Sequence, residues 1–209
     1  NMVERNKARL IPGSGVNLEK FKPMQKANPP DGTTRFLLIG RIMKDKGIEE
    51  YLKAAKIIKE DNPDTEFQIL GSFEEEQYRE IIENNPNVKY LGRSEDVREQ
   101  IREVDCIVHP SYHEGMSNAL LEGAAMGKPL LAANIPGCKE IVDDSVNGYL
   151  FEPRSIEGLV EKLRLFLSLE KSQRIKMGIE SRKKVEREFD RNIVIKAYMQ
   201  AIQEIIDRK

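Results

Sequence analysis

Residues 113–129 read HEGMSNALLEGAAMGKP, and this stretch decides the architecture. Glu114-Gly115 opens it as a loop. Ser117 is a good helix N-cap, because its side-chain oxygen can satisfy an orphan N–H of the first turn. Asn118 to Met126 then read as a helix. Gly127 suits the left-handed residue that ends it, and Pro129 cannot continue it. The run before it, DCIVHPS (residues 105–111), reads as a strand, and PLLAA (residues 129–133) as another. Strand, loop, helix and strand in that order place the loop and the helix N-terminus at a strand's carboxyl end. In an open parallel sheet that is where ligands bind. Unpaired N–H groups and the positive end of the helix dipole suit phosphate there.

The rest of the chain repeats the alternation. Residues 8–12 (ARLIP) read as a short leading strand. Pro23, Pro29, Pro30 and Gly32 then mark a linker-like stretch. Strands are expected at 34–40, 66–71, 87–92 and 148–151. Helices are expected at 46–60, 74–84, 94–104, 136–142, 155–169, 172–188 and 191–208. This is an α/β chain: a Rossmann-like, three-layer α/β/α parallel sheet with extra C-terminal helices. Its expected divisions are a linker and leading strand (1–33), a ligand-binding domain (34–188) and a C-terminal helix (189–209). That last helix carries Ile195, Tyr198, Met199, Ile202, Ile205 and Ile206 as an apolar stripe after a plausible N-cap, Asp190. Packing against its own domain is the plainer expectation for the stripe.

Composition narrows the function classes. The chain has 209 residues, 39% hydrophobic and 33% charged, enough for one domain with a sizeable core. Thirty-four Lys and Arg against 35 Asp and Glu leave a formal net charge of −1, with no electrostatic footprint for nucleic acid. No apolar run is long enough to span a bilayer. Cys106 and Cys138 have no paired spacing, so a reduced cytoplasmic protein is the simplest expectation. Asn1 stands before Met2, so the start need not be the natural one. The helix Lys171–Arg187 is rich in Lys and Arg, but Glu180, Glu186 and Glu188 are interspersed. A solvated face is the reading for it, and contact with a membrane surface the lesser alternative.

Several site motifs fail. GSGVNL (residues 13–18) lacks the third glycine of a dinucleotide fingerprint. MGKP (residues 126–129) has no Ser or Thr after its Lys, so it is not a P-loop. No Asp-x-Asp occurs, and two His and two Cys at scattered positions make no zinc pattern.

Two glutamates separated by seven residues in EGMSNALLE, followed by a small-residue helix and GKP, resemble the signature of the retaining glycosyltransferases of family four. IGRIMKDKG (residues 39–47), IPGSGVNLEKF (11–21), IPGCKEIV (135–142) and NGYLF (147–151) follow the family order. The resemblance covers nearly the whole chain. It corresponds to the second, donor-binding half of a GT-B enzyme, in which two Rossmann-like halves face each other across a cleft. The wording of EGMSNALLE and PGCKEIV is nearest to transferases of bacterial surface polysaccharides.

The resemblance implies roles for particular residues. Arg41 and Lys46 would hold the diphosphate of a nucleoside-diphosphate sugar such as a UDP-sugar. Glu122 would grip the ribose hydroxyls, and Glu114 would lie by the donor sugar. Gly115, Met116 and Ser117 would offer backbone N–H groups, and Arg93 would stand near the base. Most relatives have an aromatic or a glycine where Met116 and Ser117 stand, which bears on sugar specificity. Cations and a helix terminus would then do without metal or other cofactor. The family's catalytic histidine lies in the first half, so neither His109 nor His113 is expected to be catalytic; His113 reads as a local hydrogen-bonding residue. The acceptor would be a glycan or glycolipid met through an N-terminal domain, towards which the C-terminal helix (189–209) would cross, a reading compatible with its packing partly on its own domain. Peripheral contact would be at the inner face of the membrane. A chain with only this half would bind donor and transfer nothing. Alternatives are a sugar-nucleotide epimerase on the same fold, a binding module without activity, and, ranked last, a glycosidase using the two glutamates.

Overall fold

A computed structural model describes residues 13, 15–27 and 31–207. The leading strand expected at 8–12 lies outside the described residues. Among the described residues six strands form one parallel sheet: β1 (Thr34–Ile39), β2 (Thr65–Leu70), β3 (Val88–Tyr90), β4 (Cys106–His109), β5 (Leu130–Ala133) and β6 (Gly148–Phe151), in spatial order β3-β2-β1-β4-β5-β6. Register pairs run from Thr34↔Thr65 to Ile39↔Leu70, and from Ile107↔Leu130 to His109↔Ala132. The strand order reverses between β1 and β4. That is the topological switch point of a doubly wound sheet, where a crevice opens beyond the carboxyl ends.

Among the described residues seven α-helices accompany the sheet: α1 (Ile48–Asp61), α2 (Tyr78–Glu83), α3 (Arg98–Glu103), α4 (Asn118–Ala125), α5 (Ile156–Ser168), α6 (Lys171–Glu188) and α7 (Arg191–Ile206). Helix α1 packs with α5, and α4 with α6. Right-handed crossovers put these two pairs on opposite faces of the sheet, giving three layers. Both faces are covered at the centre, so the Phe36–Ile39 part of β1, Cys106–Val108 of β4 and all of β5 read as continuous apolar runs rather than alternating ones. Phe36, Phe67 and Phe166 are fully buried, with the first two rings stacked at 5.0 Å. The buried Tyr51 hydroxyl donates to the Phe36 and Gln68 carbonyls at 3.2 and 3.0 Å, so no polar group is orphaned there.

The organising helix forms as its sequence dictates. Ser117 Oγ accepts from the Leu120 N–H at 3.3 Å. Gly127, at φ +72°, donates to the Ala124 carbonyl while Lys128 donates to that of Gly123, a Schellman end. Other expectations need correction. In place of the helix expected at 136–142, residues 136–141 are consecutive turns. Gly137 sits at φ +86°, and a Cβ there would meet the Glu114 carbonyl oxygen at 2.7 Å, so this segment is shaped by its packing on the site loop. Helices α2 and α3 are shorter than expected. Helix α1 starts later, because a single 3-10 turn (Lys44–Lys46) and a left-handed Gly47 precede it.

The stripe on α7 does not pack on its own domain. Val194 is buried, whereas Ile195, Tyr198, Met199, Ile202, Ile205 and Ile206 are each about half exposed or more. Asp190 caps this helix by accepting from the Asn192 N–H at 3.0 Å. No helix among the described residues is long and apolar enough to cross a membrane. Cys106 and Cys138 are both buried free thiols.

Candidate functional site

The loops after β1 and β4 meet at the switch point. The Asp45 carbonyl accepts from the Tyr112 N–H at 2.8 Å and from Ser111 Oγ at 3.1 Å. The Tyr112 hydroxyl donates to both oxygens of the buried Glu50 carboxylate, at 2.7 and 2.8 Å. Gly47 allows the closest approach: at φ +71°, a Cβ there would lie 2.2 Å from the Pro110 carbonyl oxygen. These ties hold Lys46 against the loop that carries Glu114.

Glu114 is the centre of the arrangement. Its Oε1 accepts from Lys46 Nζ at 2.5 Å and lies 2.8 Å from His109 Nε2. Both glutamate and lysine side chains are largely buried, at 13% and 16% exposure. Burial alone would push the Glu114 carboxyl up. The hydrogen bonds from His109 and Lys46 outweigh that and bring it down to about 2. Glu114 is therefore a fixed anion at any physiological pH, an acceptor and not a proton donor. Among the described residues nothing bonds its second oxygen, Oε2.

Glu122 is tuned the other way. Burial raises it to about 7, with Lys20 lowering and Asp96 raising it by smaller amounts. It lines a pocket of about 380 Å³ with Gly15, Val16, Asn17, Phe21, Asn118, Leu121 and Arg191. The pocket wall is built where the segment at Val16 meets the start of α7. Val16 donates to the Phe189 carbonyl at 2.8 Å and accepts from the Arg191 N–H at 3.0 Å. The two glutamates thus stand in different surroundings, one held through Oε1 by Lys46 and His109 and one without a hydrogen-bond partner among the described residues.

The remaining expected site residues are distributed as follows. Arg41 is exposed at the end of β1, with Nη1 3.8 Å from Glu74 Oε1, so it leans towards the loop after β2 rather than towards Glu114. Arg93 is exposed beyond β3, directly after Gly92. Gly115 is exposed on the loop before α4, and Met116 is half-buried, with its side chain against Gly13. Ser117 departs from expectation: its backbone N–H already donates to the Gly137 carbonyl at 3.0 Å, so that amide is not offered to a ligand. The turn segment that sequence periodicity reads as a helix takes that donor. His113 is exposed, and its carbonyl accepts from Ser111 Oγ at 3.2 Å.

His109 is the residue that sequence reasoning passed over. It ends β4, only 5% exposed, and touches Glu114 and also Ser117 Oγ, the latter at 3.1 Å. A buried histidine at the carboxyl end of a central strand, five residues before a site glutamate, was the available signal.

A wider groove of about 1920 Å³ lies at the opposite end of the sheet, between Lys26, Arg35, Asp105, Lys128 and Arg174. Its cations are engaged in the fold: Lys26 pairs with Asp105 at 2.7 Å, and Lys128 Nζ caps α3 through the Arg102 and Val104 carbonyls, both at 2.8 Å. Among the described residues no cluster of three or more His, Cys, Asp or Glu could hold a metal ion.

Comparison with known proteins gives the family and the fold. Residues 19–184 match the glycosyl transferases group 1 family. The chain is 26% identical, over 98% of its length, to the N,N'-diacetylbacillosaminyl-diphospho-undecaprenol alpha-1,3-N-acetylgalactosaminyltransferase of Campylobacter jejuni, and covers 56% of that protein. A glycosyltransferase crystal structure from Rickettsia africae superposes with TM-score 0.84 at 22% identity, over 96% of this chain and 58% of that one. Anabaena HepE, solved with UDP-glucose, superposes with TM-score 0.75 at 19% identity, over 93% and 56% of the two chains. The chain spans a little over half the length of these proteins, and its fold is that of one half of the GT-B architecture. It belongs to the group 1, family-four-type glycosyltransferases.

Proposed function

We propose that this chain is the donor-binding half of a retaining glycosyltransferase, and that it binds a nucleoside-diphosphate sugar at the switch point between β1 and β4. The observation that carries the reading is the Lys46–Glu114–His109 cluster set beside the N-terminus of α4. A sugar leaving as part of a glycosyl donor deposits negative charge on the diphosphate. Lys46 keeps two ammonium hydrogens beyond the one on Glu114, and the exposed Arg41 stands at the neighbouring strand end. The amides of Gly115 and Met116 and the dipole of α4 complete the anion site.

Glu114, ionised and held by one oxygen, offers the other to hydroxyls of the sugar. Glu122 offers its carboxylate to the ribose diol, and Arg93 stands towards the base. Retention of configuration follows if the leaving phosphate oxygen itself takes the acceptor's proton on the same face. No step in that scheme calls for a metal. UDP is the first nucleotide to try, because Anabaena HepE was solved with UDP-glucose. The donated unit would be a hexose or N-acetylhexosamine, and the acceptor a glycan or lipid-linked glycan, as the name of the Campylobacter relative describes for that protein. The acceptor and the catalytic histidine would come from an N-terminal domain, against which the exposed face of α7 would pack. Work at the cytoplasmic side of a membrane fits such an acceptor.

Calorimetric titration with UDP, GDP, ADP and CDP tests the reading. One of them should bind, and Lys46→Ala should abolish most of that affinity. No binding by any, or binding indifferent to Lys46→Ala, refutes it. The chain alone should transfer no sugar, so sustained transfer by these residues would overturn the half-enzyme part of the proposal.

A further inference from the structure

We infer that His109 is a positioning residue for the donor sugar: it holds Glu114 by one oxygen and thereby aims the other at the sugar hydroxyls. The inference rests on the donor-binding reading above.

The hydrogen-bond chemistry sets the proton's place. His109 Nε2 lies 2.8 Å from Glu114 Oε1 and 3.1 Å from Ser117 Oγ. An ionised carboxylate only accepts, so a lone pair on Nε2 would face it with no proton between them. Nε2 must therefore carry the hydrogen and donate it to Glu114, with Ser117 Oγ as the longer, shared acceptor. That requirement holds for both the neutral ring and the imidazolium.

Position explains why this donor is needed beside Lys46. Both donate to the same oxygen, Oε1. Lys46 ends a flexible stem, and an arriving diphosphate competes for its ammonium. His109 is the last residue of β4, paired in register with Ala132 and 5% exposed. Its backbone is fixed by the sheet, and Ser117 Oγ, the other hydrogen-bond contact of its ring among the described residues, is itself part of the α4 cap. Glu114 sits on a loop, so without His109 its carboxylate would follow Lys46 towards the diphosphate. With His109 in place, Oε1 stays anchored and Oε2 keeps its orientation while Lys46 serves the phosphates.

A purely structural role, supporting the Ser117 cap of α4, makes a different prediction. It would weaken nucleotide and sugar-nucleotide binding alike.

The experiment measures the affinities of UDP and of UDP-glucose, UDP-galactose and UDP-N-acetylgalactosamine for wild type, His109→Leu and His109→Gln. It also reads the ring tautomer by nitrogen-detected proton NMR, simple in a chain with two histidines. Expected are an Nε2–H ring and a roughly three- to tenfold loss of the best UDP-sugar in His109→Leu, with UDP changed less than about twofold. His109→Gln, whose amide nitrogen can take the place of Nε2, should restore most of the loss and guards against a variant that fails to fold. An Nδ1–H ring, an unchanged ratio of UDP-sugar to UDP affinity, or equal loss of both overturns the inference. A wild-type chain that binds neither these UDP compounds nor GDP, ADP or CDP refutes the donor-binding reading instead.

Discussion

Glu122→Gln should make the domain more stable at alkaline pH while weakening its hold on a nucleoside diphosphate. Burial raises the Glu122 carboxyl from 4.5 to about 7, so the fold binds this proton more tightly than the unfolded chain does. The sign follows from linkage. Below about pH 4.5 the group is protonated in both states and costs nothing. Between 4.5 and 7 stability falls as pH rises, because only the unfolded chain ionises freely. Above 7 the full cost is present. At 1.36 kcal/mol per pKa unit the gap corresponds to about 3 kcal/mol. Partial solvent access trims the expected gain of the neutral isostere to about 1–3 kcal/mol at pH 8, shrinking to about zero at pH 4.5. Urea unfolding followed by circular dichroism at both pH values reads it as a shift of midpoint at constant slope. In parallel, calorimetry at pH 8 should show weaker nucleotide binding by the variant, since a carboxylate–diol contact loses its charge. A variant no more stable than wild type at pH 8, or a gain that persists undiminished at pH 4.5, would refute the reasoning.

Glu114→Gln should act in the opposite direction, destabilising the domain by about 1–3 kcal/mol at pH 7, because it leaves Lys46 and His109 facing a neutral amide. The wild-type contribution should fade as pH falls from 4.5 through about 2, the range over which its lowered carboxyl titrates, and urea midpoints across that range would show it. A double-mutant cycle of Lys46→Ala and Glu114→Gln on UDP affinity should be strongly non-additive, since Lys46 reaches the diphosphate from its contact with Glu114; additive losses would separate the two roles. Gly47→Ala should lower stability by about 2 kcal/mol or more and weaken UDP binding with it, because the new methyl meets the Pro110 carbonyl and the backbone is left-handed; unchanged unfolding midpoints would contradict the crossing of the two loops. Chelator should leave UDP affinity unchanged in calorimetry, and a loss on chelation would point to a metal in the anion site.

What the sequence makes legible here is local, and what it hides is contact across the switch point. The cap at Ser117, the Schellman end at Gly127 and the buried strands β1, β2, β4 and β5 each depend on neighbours within a few positions, so their signals survive in one dimension. Residues 136–142 show the limit of that logic. Apolar residues at Ile135, Cys138, Ile141 and Val142 have helical spacing and are buried, yet the backbone turns, because Gly137 must pass close to the Glu114 and Gly115 carbonyls. The same close passage consumes the Ser117 amide, which the helix cap alone would have left for phosphate. The cluster at Glu114 is hidden for the same reason. Lys46 stands 68 positions away, and nothing in either segment announces that its ammonium prefers a carboxylate to solvent. His109 is near in sequence but belongs to a strand, while Glu114 belongs to a loop, so their contact depends on how the chain leaves β4. Arg41 is the reverse case. A motif placed it beside Lys46, but the fold lets it lean on Glu74 instead, an exposed pairing worth little. If the site takes a diphosphate as proposed, an exposed arginine so weakly held would swing to it at small cost, whereas the buried Lys46–Glu114–His109 cluster is already assembled. In the proposed donor-binding reading, the anion site would therefore divide into a preorganised floor and an exposed rim, a distinction that lies in burial and not in residue type.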